Sequence, residues 1–87
     1  MKNLDELRVE IDKVDGELRN LFVERMKLVS EIGQVKRAIG APVYVPDREA
    51  AMIERNSQLV DEEFRDLYIE FLKKNLELSR EYQSRTK

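Results

Sequence analysis

The chain has 87 residues, of which 39% are charged and 41% hydrophobic, with only three glycines and two prolines. This length predicts one small domain with a marginal core, over residues 1–87, and the composition favours long amphipathic helices over a β-sheet. The net charge of -2, with both signs interspersed, argues against nucleic-acid binding, and the lack of cysteine and histidine excludes disulfides, thiol catalysis, the usual zinc ligands and the commonest general base.

The N-terminal segment is charged and periodic, unlike a signal peptide, and no apolar run reaches membrane-spanning length. We therefore expect a cytoplasmic protein that neither crosses nor binds a membrane.

The first predicted element is a helix over about residues 3–39. Apolar residues recur along it at three- and four-residue spacing from Leu4 to Ile39, and Gly40 is the expected C-cap. At 1.5 Å per residue this helix is about 54 Å long, whereas a compact chain of this size has a radius of gyration near 12 Å. The helix overhangs its own globule with its apolar stripe unbroken, so we expect a dimer in which the long helices pack on each other.

Two further helices are predicted, over about residues 46–58 and 62–84. Pro46 lies at a first helical position, and acidic residues occupy the first turn. No strand longer than the few residues around Val43 is expected. The predicted fold class is all-α, with three helices per chain.

Polar residues interrupt the apolar faces in register. Arg25 and Lys36 are eleven residues apart, so they point within roughly 20° of each other on a face that is otherwise apolar. On the third helix an apolar face turns polar at Ser79 and Gln83, which are i,i+4 neighbours. Arg48 stands in the first turn of the second helix, against the positive end of the helix dipole. Because unpaired cations on a buried face are costly, these residues together indicate a bound anion.

Each of these residues also has a structural interpretation. Arg25 would extend its head to solvent or pair with Glu24 or Glu49, and Lys36 would stabilise the last turn of its helix. The two polar residues of the third helix would lie in a solvated C-terminal turn. Arg8 is a different case: it lies about 25 Å from Arg25 along the helix and roughly 100° around it. It cannot enter the same pocket from its own chain, but in an antiparallel dimer it would enter the pocket of the partner.

Three segments together resemble the all-helical class of chorismate mutases: "LDELRVEIDKVDGELRNLFVERMKLVSEIGQVK", "PDRE" and "LSREYQ". The resemblance covers nearly the whole chain, with the element order and spacings in register. It implies the isomerisation of chorismate to prephenate in the pathway to phenylalanine and tyrosine. It also implies an intertwined homodimer with two equivalent pockets, each completed by an arginine from the other chain.

By this resemblance, five residues bind the carboxylates and ether oxygen of the dicarboxylate substrate. Arg8 of one chain would bind a carboxylate in the pocket of the other. Arg25 would bind the second carboxylate, helped by Ser79. Lys36 would serve a carboxylate and the ether oxygen, and Gln83 would donate a hydrogen bond to that oxygen.

The start of the second helix would serve the ring side of the substrate. Glu49 would accept a hydrogen bond from the ring hydroxyl, with Arg48 lining the pocket beside it. Val45 departs from the family pattern, in which this loop position is often polar and commonly aspartate; only its backbone amide would contact the substrate. The residues expected to be catalytic are Lys36, Gln83, Arg25 and Glu49.

The implied reaction suits this composition. It is a unimolecular pericyclic rearrangement in which one C–O bond breaks while one C–C bond forms. It needs no nucleophile, metal or cofactor, so none is expected. The protein would contribute a compact reactive conformer and stabilisation of charge on the ether oxygen.

Three other functions remain open from the sequence. An isochorismate pyruvate lyase would share this fold and pocket style. The chain would otherwise be a regulatory or fused mutase domain of a larger protein, or a non-enzymatic helical dimerisation module. The last possibility explains the long apolar stripe but not the polar residues that interrupt it in register.

Overall fold

The computed structural model describes residues 1–85, which form three α-helices and no strand. Helix α1 spans Leu4–Ile39, α2 spans Pro46–Ser57 and α3 spans Glu62–Arg85. The predicted all-α fold class with a very long first helix is confirmed. Each helix begins and ends within one residue of the predicted bounds.

Local capping signals account for the ends of α1. The side chain of Asn3 accepts a hydrogen bond from the backbone amide of Glu6 at 2.9 Å, which satisfies one of the free amides of the first turn. At the other end Gly40 adopts a left-handed conformation with φ of 71°, and the amide of Ala41 donates to the Lys36 carbonyl at 2.8 Å. A left-handed residue ends a helix most cheaply when it is glycine, as predicted at this position.

Helix α3 packs against both other helices, and the core of the single chain is small. Its buried apolar residues are Val29 of α1 with Leu72 and Leu76 of α3, which lie one turn apart. The described chain measures 55 × 25 × 15 Å, with a radius of gyration of 16.3 Å. This exceeds the value of about 12 Å for a compact chain of the same length, because α1 runs along the whole long axis.

The apolar stripe of α1 lies on the surface of the single chain. Its ten residues are each between 46% and 72% exposed: Leu4, Leu7, Ile11, Val14, Leu18, Leu21, Leu28, Ile32, Val35 and Ile39. An apolar surface of this length is unusual for a monomer. None of the helices within residues 1–85 is both long and apolar enough to cross a membrane.

Candidate active site

A cavity of about 180 Å³ lies where the C-terminal half of α1, the start of α2 and the C-terminal half of α3 meet. Seven of the eight residues predicted to form the site line it. The lining consists of Arg25, Val29, Ile32, Lys36, Val43, Val45, Arg48, Glu49, Met52, Leu76, Ser79, Arg80 and Gln83. The helical spacing that predicted a common face for the cations of α1 therefore corresponds to one cavity.

Arg25 reaches the cavity from the middle of α1 and is oriented by a serine of α3. Its Nη1 donates to the Oγ of Ser79, and this hydroxyl donates in turn to the backbone carbonyl of Asn75 at 2.8 Å. Ser79 is buried, and its single proton is directed to its own helix. Ser79 therefore orients the guanidinium as an acceptor, which leaves the other donors of Arg25 for a ligand.

Lys36 projects from the last turn of α1 into the opposite end of the cavity. Its Nζ donates to the backbone carbonyl of Val43 at 2.9 Å, which ties the loop after α1 to the helix. An ammonium group has three donors, so this contact fixes the position of the charge without exhausting it. The arrangement is suited to holding an anionic or ether oxygen.

Gln83 is buried where α3 crosses α1. Its Nε2 donates to the backbone carbonyl of Val29 at 3.0 Å. Gly33 eases this close approach, because a Cβ at that position would lie 3.3 Å from Cγ of Gln83, closer than an ordinary van der Waals contact. The glycine thus has a packing role that its helical periodicity did not reveal.

The start of α2 supplies the third wall. Val45 is the N-cap residue in an extended conformation, Pro46 follows in the first turn, and the Val45 carbonyl accepts from the amide of Glu49 at 3.2 Å. Among residues 1–85, no side chain caps this helix end. Arg48 and Glu49 project from the first turn, where the helix dipole favours a bound anion. The proposed backbone contact of Val45 with a ligand stays a prediction.

Arg80 is a lining residue that the sequence analysis missed. Its Nη1 donates to Oε1 of Glu49, and its guanidinium carbon lies 4.4 Å from the centroid of the Tyr44 ring. The hydrogen bond to Glu49 raises the pKa of Arg80 above its ordinary value, against the lowering effect of burial. Within residues 1–85, therefore, Glu49 pairs with Arg80 and not with Arg25, the pairing considered from the sequence. The place of Arg80 next to Ser79 in "LSREYQ" gave no signal of this pairing, because adjacent residues of a helix point about 100° apart.

Arg8 is the predicted site residue that lies outside the cavity. It stands in the N-terminal part of α1, its side chain is 66% exposed, and its Nη1 lies 3.8 Å from Oδ1 of Asp5. Its own chain does not bring it to the site, as the helical geometry predicted. Its role in the pocket of a partner stays a prediction.

The charge of the cavity is strongly positive in a chain whose net charge is -2. Four cations line it (Arg25, Lys36, Arg48 and Arg80) against the one carboxylate of Glu49, an excess of three positive charges. No group of residues suited to holding a metal ion occurs in the described part of the chain. The resulting positive potential attracts small molecules that carry more than one negative charge.

Comparison with known proteins decides the family. The model of the family "Chorismate mutase type II" matches residues 7–84, a stretch that contains every candidate site residue from Arg8 to Gln83. The chain belongs to this family. The match extends over all three helices.

Two of three relatives of this type II family member have "chorismate mutase" in their names. The chain is 50% identical over 54 residues to the T-protein of Haemophilus influenzae, and 44% identical over 55 residues to a bifunctional chorismate mutase/prephenate dehydratase of Aquifex aeolicus. These stretches are 62% and 63% of this chain but only 14% and 15% of the two relatives. It is 31% identical over 62 residues to a chorismate mutase of Methanocaldococcus jannaschii, a stretch that covers 71% of this chain and 63% of that protein. The chain thus spans less than two thirds of the length of each.

Proposed function

We propose that this chain catalyses the rearrangement of chorismate to prephenate. The observation that carries the proposal is the cavity with an excess of three positive charges, formed by residues within the matched region of a type II chorismate mutase. Chorismate is a dicarboxylate, and its conversion is unimolecular. A cavity lined by cations and by the amide of Gln83 can hold both carboxylates and stabilise charge on the ether oxygen, as such a reaction requires.

Each residue then has a defined task. Arg25, held by Ser79, binds one carboxylate and restricts the substrate to its compact conformer. Lys36, held by the Val43 carbonyl, and Gln83 place donors where negative charge develops on the ether oxygen. Removing one such preorganised donor typically costs about 2.7–4 kcal/mol of transition-state stabilisation.

The ring side of the substrate lies at the start of α2 in this proposal. Glu49 accepts a hydrogen bond from the ring hydroxyl, and Arg48 contributes positive charge at the same helix end as the dipole. Because binding of the dianion offsets the repulsion between clustered cations, Arg48 has a reason to stand in the first turn. The lack of a required cofactor and a cytoplasmic location stay predictions.

A homodimer with shared active sites is the second part of the proposal. It is supported by the ten apolar residues of α1 that the described chain leaves about half or more exposed. It is also supported by Asn75, whose Oδ1 is shielded from solvent yet accepts no hydrogen bond within residues 1–85. Asn75 lines an apolar groove of about 580 Å³ between α1 and α3, together with Phe22 and Phe71. A helix of the partner seated there would bury the groove and supply a donor.

The first experiment is to add the purified protein to chorismate, follow the loss of absorbance and identify the product. Prephenate is expected, with turnover reduced by roughly 10²- to 10³-fold in Lys36→Ala. Pyruvate release from isochorismate instead would identify a lyase. No consumption of either compound by a folded dimer would refute the enzymatic proposal and leave a helical dimerisation module.

Sharing of the sites is tested by mixing two inactive variants. Arg8→Ala and Arg25→Ala chains, unfolded and refolded together, form heterodimers in which one pocket has both arginines. We expect activity to return to about a quarter of the wild-type value in an equal mixture, because half of the dimers are mixed and each has one intact pocket. Sedimentation of the wild type as a monomer, or no recovery at any mixing ratio, would show that Arg8 does not act across an interface.

A further inference from the structure

Arg80 occupies the wall of the candidate active site without a role in the reaction as described so far. It is held on two sides: its Nη1 donates to Oε1 of Glu49, and its guanidinium stacks on the ring of Tyr44 at 4.4 Å. The side chains of Arg80 and Glu49 are 30% and 19% exposed. By contrast, the side chains of Arg85 and Glu81, an ion pair on the same helix, are 72% and 50% exposed. Ion pairs this exposed contribute little to the stability of the fold.

The pair between Arg80 and Glu49 forms part of the boundary of two cavities. One is the candidate active site, and the other is a groove of about 370 Å³ that also includes Tyr44 and Lys73. Glu49, Leu76 and Arg80 line both. The carboxylate of Glu49 therefore borders the active site while its partner anchors it from the wall.

The chemistry of this arrangement concerns the direction of an acceptor. A glutamate side chain has several rotatable bonds, and immobilising it loses rotamer entropy. Arg80 restricts the Glu49 side chain before substrate binds, because it holds one oxygen of that carboxylate. The face of the Tyr44 ring in turn fixes the guanidinium of Arg80. A carboxylate has about four acceptor positions, so Glu49 retains capacity for a hydroxyl donor.

We propose that Arg80, clamped by Tyr44, is a positioning residue that orients the carboxylate of Glu49 toward the ring hydroxyl of the substrate and thereby sets the preference for a hydroxylated ring. This inference rests on the proposed function, since it assigns a part to one more residue of the same site. A site built to hydrogen-bond a hydroxyl discriminates strongly against the analogue that lacks it. Loosening the acceptor reduces that discrimination.

The test compares two substrates in the wild type and in Arg80→Gln. The first is chorismate, and the second is the analogue in which hydrogen replaces the ring hydroxyl. We expect kcat/KM for chorismate to fall about tenfold in the variant, through a lower kcat and a higher KM, because the acceptor is misplaced. For the analogue, which has no hydroxyl to orient, we expect less than about a twofold change. The ratio of the two kcat/KM values should therefore shrink about fivefold or more.

Further variants test the clamp. Tyr44→Leu removes the ring face and should reduce the same ratio, whereas Tyr44→Phe keeps the face and should resemble the wild type. Arg80→Lys keeps the charge but not the planar fork, so its ratio should lie between those of the wild type and Arg80→Gln. Arg85→Gln is the matched control, because it removes an arginine from an exposed ion pair of the same helix. It should leave both substrates unaffected.

The outcomes separate the inference from the function on which it rests. A wild-type protein that does not convert chorismate refutes the proposed function and this inference with it. An active wild type whose Arg80→Gln variant loses the same factor on both substrates refutes the inference alone, since Arg80 would then act by general attraction of the anion or by structure. Should Arg80→Gln fail to fold, Tyr44→Leu takes its place in the test. Tyr44 is 53% exposed, so its replacement should not prevent folding. Equal losses on both substrates in that variant would likewise overturn the inference.

Discussion

Replacing Arg25 by methionine separates the binding of the substrate from the stability of the fold. Among the described residues, the polar contact of Arg25 is the hydroxyl of Ser79, and no carboxylate pairs with it. Methionine preserves much of the length and apolar character of the stem. Ser79 keeps its hydrogen bond to the Asn75 carbonyl at 2.8 Å, so no buried donor is left unsatisfied. We therefore expect Arg25→Met to fold.

The expected effects on stability and on activity differ in size. The variant loses one hydrogen bond, with a net contribution of about 1 kcal/mol. It also removes one of four cations that line the cavity, and relief of repulsion between partly exposed charges is of similar size, about 0.2–1 kcal/mol. The free energy of unfolding should therefore change by less than about 1 kcal/mol in either direction. Turnover should fall by about 10²- to 10³-fold.

Arg65 provides the matched control, because it is an arginine with a structural task. Its Nε donates to the Ser57 carbonyl at 2.9 Å, and its Nη2 donates to the Val60 carbonyl at 3.1 Å. These bonds tie the end of α2 to the turn that precedes α3, and Arg65 does not line the cavity. Arg65→Met should lower the free energy of unfolding by about 1–3 kcal/mol. Its kcat/KM per folded molecule should remain that of the wild type.

The two variants are measured by chorismate consumption and by urea unfolding. All unfolding is followed at one protein concentration, because association of chains shifts apparent stability. The two variants should show opposite patterns. Arg25→Met should lose activity and keep its stability, whereas Arg65→Met should lose stability and keep its activity. Breaking a buried charge pair costs roughly 3 kcal/mol or more. An Arg25→Met protein that stays active but is destabilised by about that amount would show that Arg25 is a structural residue.

Two further predictions concern Gly33 and the pH dependence of kcat/KM. Gly33→Ala should lower kcat/KM about tenfold, because its Cβ would lie 3.3 Å from Cγ of Gln83 and displace that side chain. Gly16→Ala is the control, since its Cβ would meet only the end of the Arg19 side chain at 3.6 Å. Equal activity in both variants would show that the close approach of Gln83 to Gly33 is unimportant. The kcat/KM profile should be flat from about pH 6 to about pH 7.5, because the chain has neither histidine nor cysteine. An inflection in that range would point to a catalytic proton transfer that the proposed mechanism does not contain.

Local sequence signals predict the three helices, and the family resemblance adds seven residues that line the cavity. The ends of α1 follow from Asn3 and Gly40, and the start of α2 follows from Pro46, because capping and turn formation depend on residues within one turn of each other. The common face of Arg25 and Lys36 follows from the periodicity of one rigid helix. Such local rules need no knowledge of how helices pack.

Which side chains meet across helices depends on how the helices pack, and this is seen only in the tertiary structure. Arg80 and Glu49 are 31 residues apart on different helices, and the Gln83 amide meets a carbonyl 54 residues away. Helical periodicity specifies the face on which a residue lies, but not which residue of another helix stands opposite. That choice depends on the axial shift and rotation at which α3 packs against α1 and α2. Glu49 was predicted as a site residue from the family resemblance, whereas its pairing with Arg80 became visible only from the packing of α2 on α3.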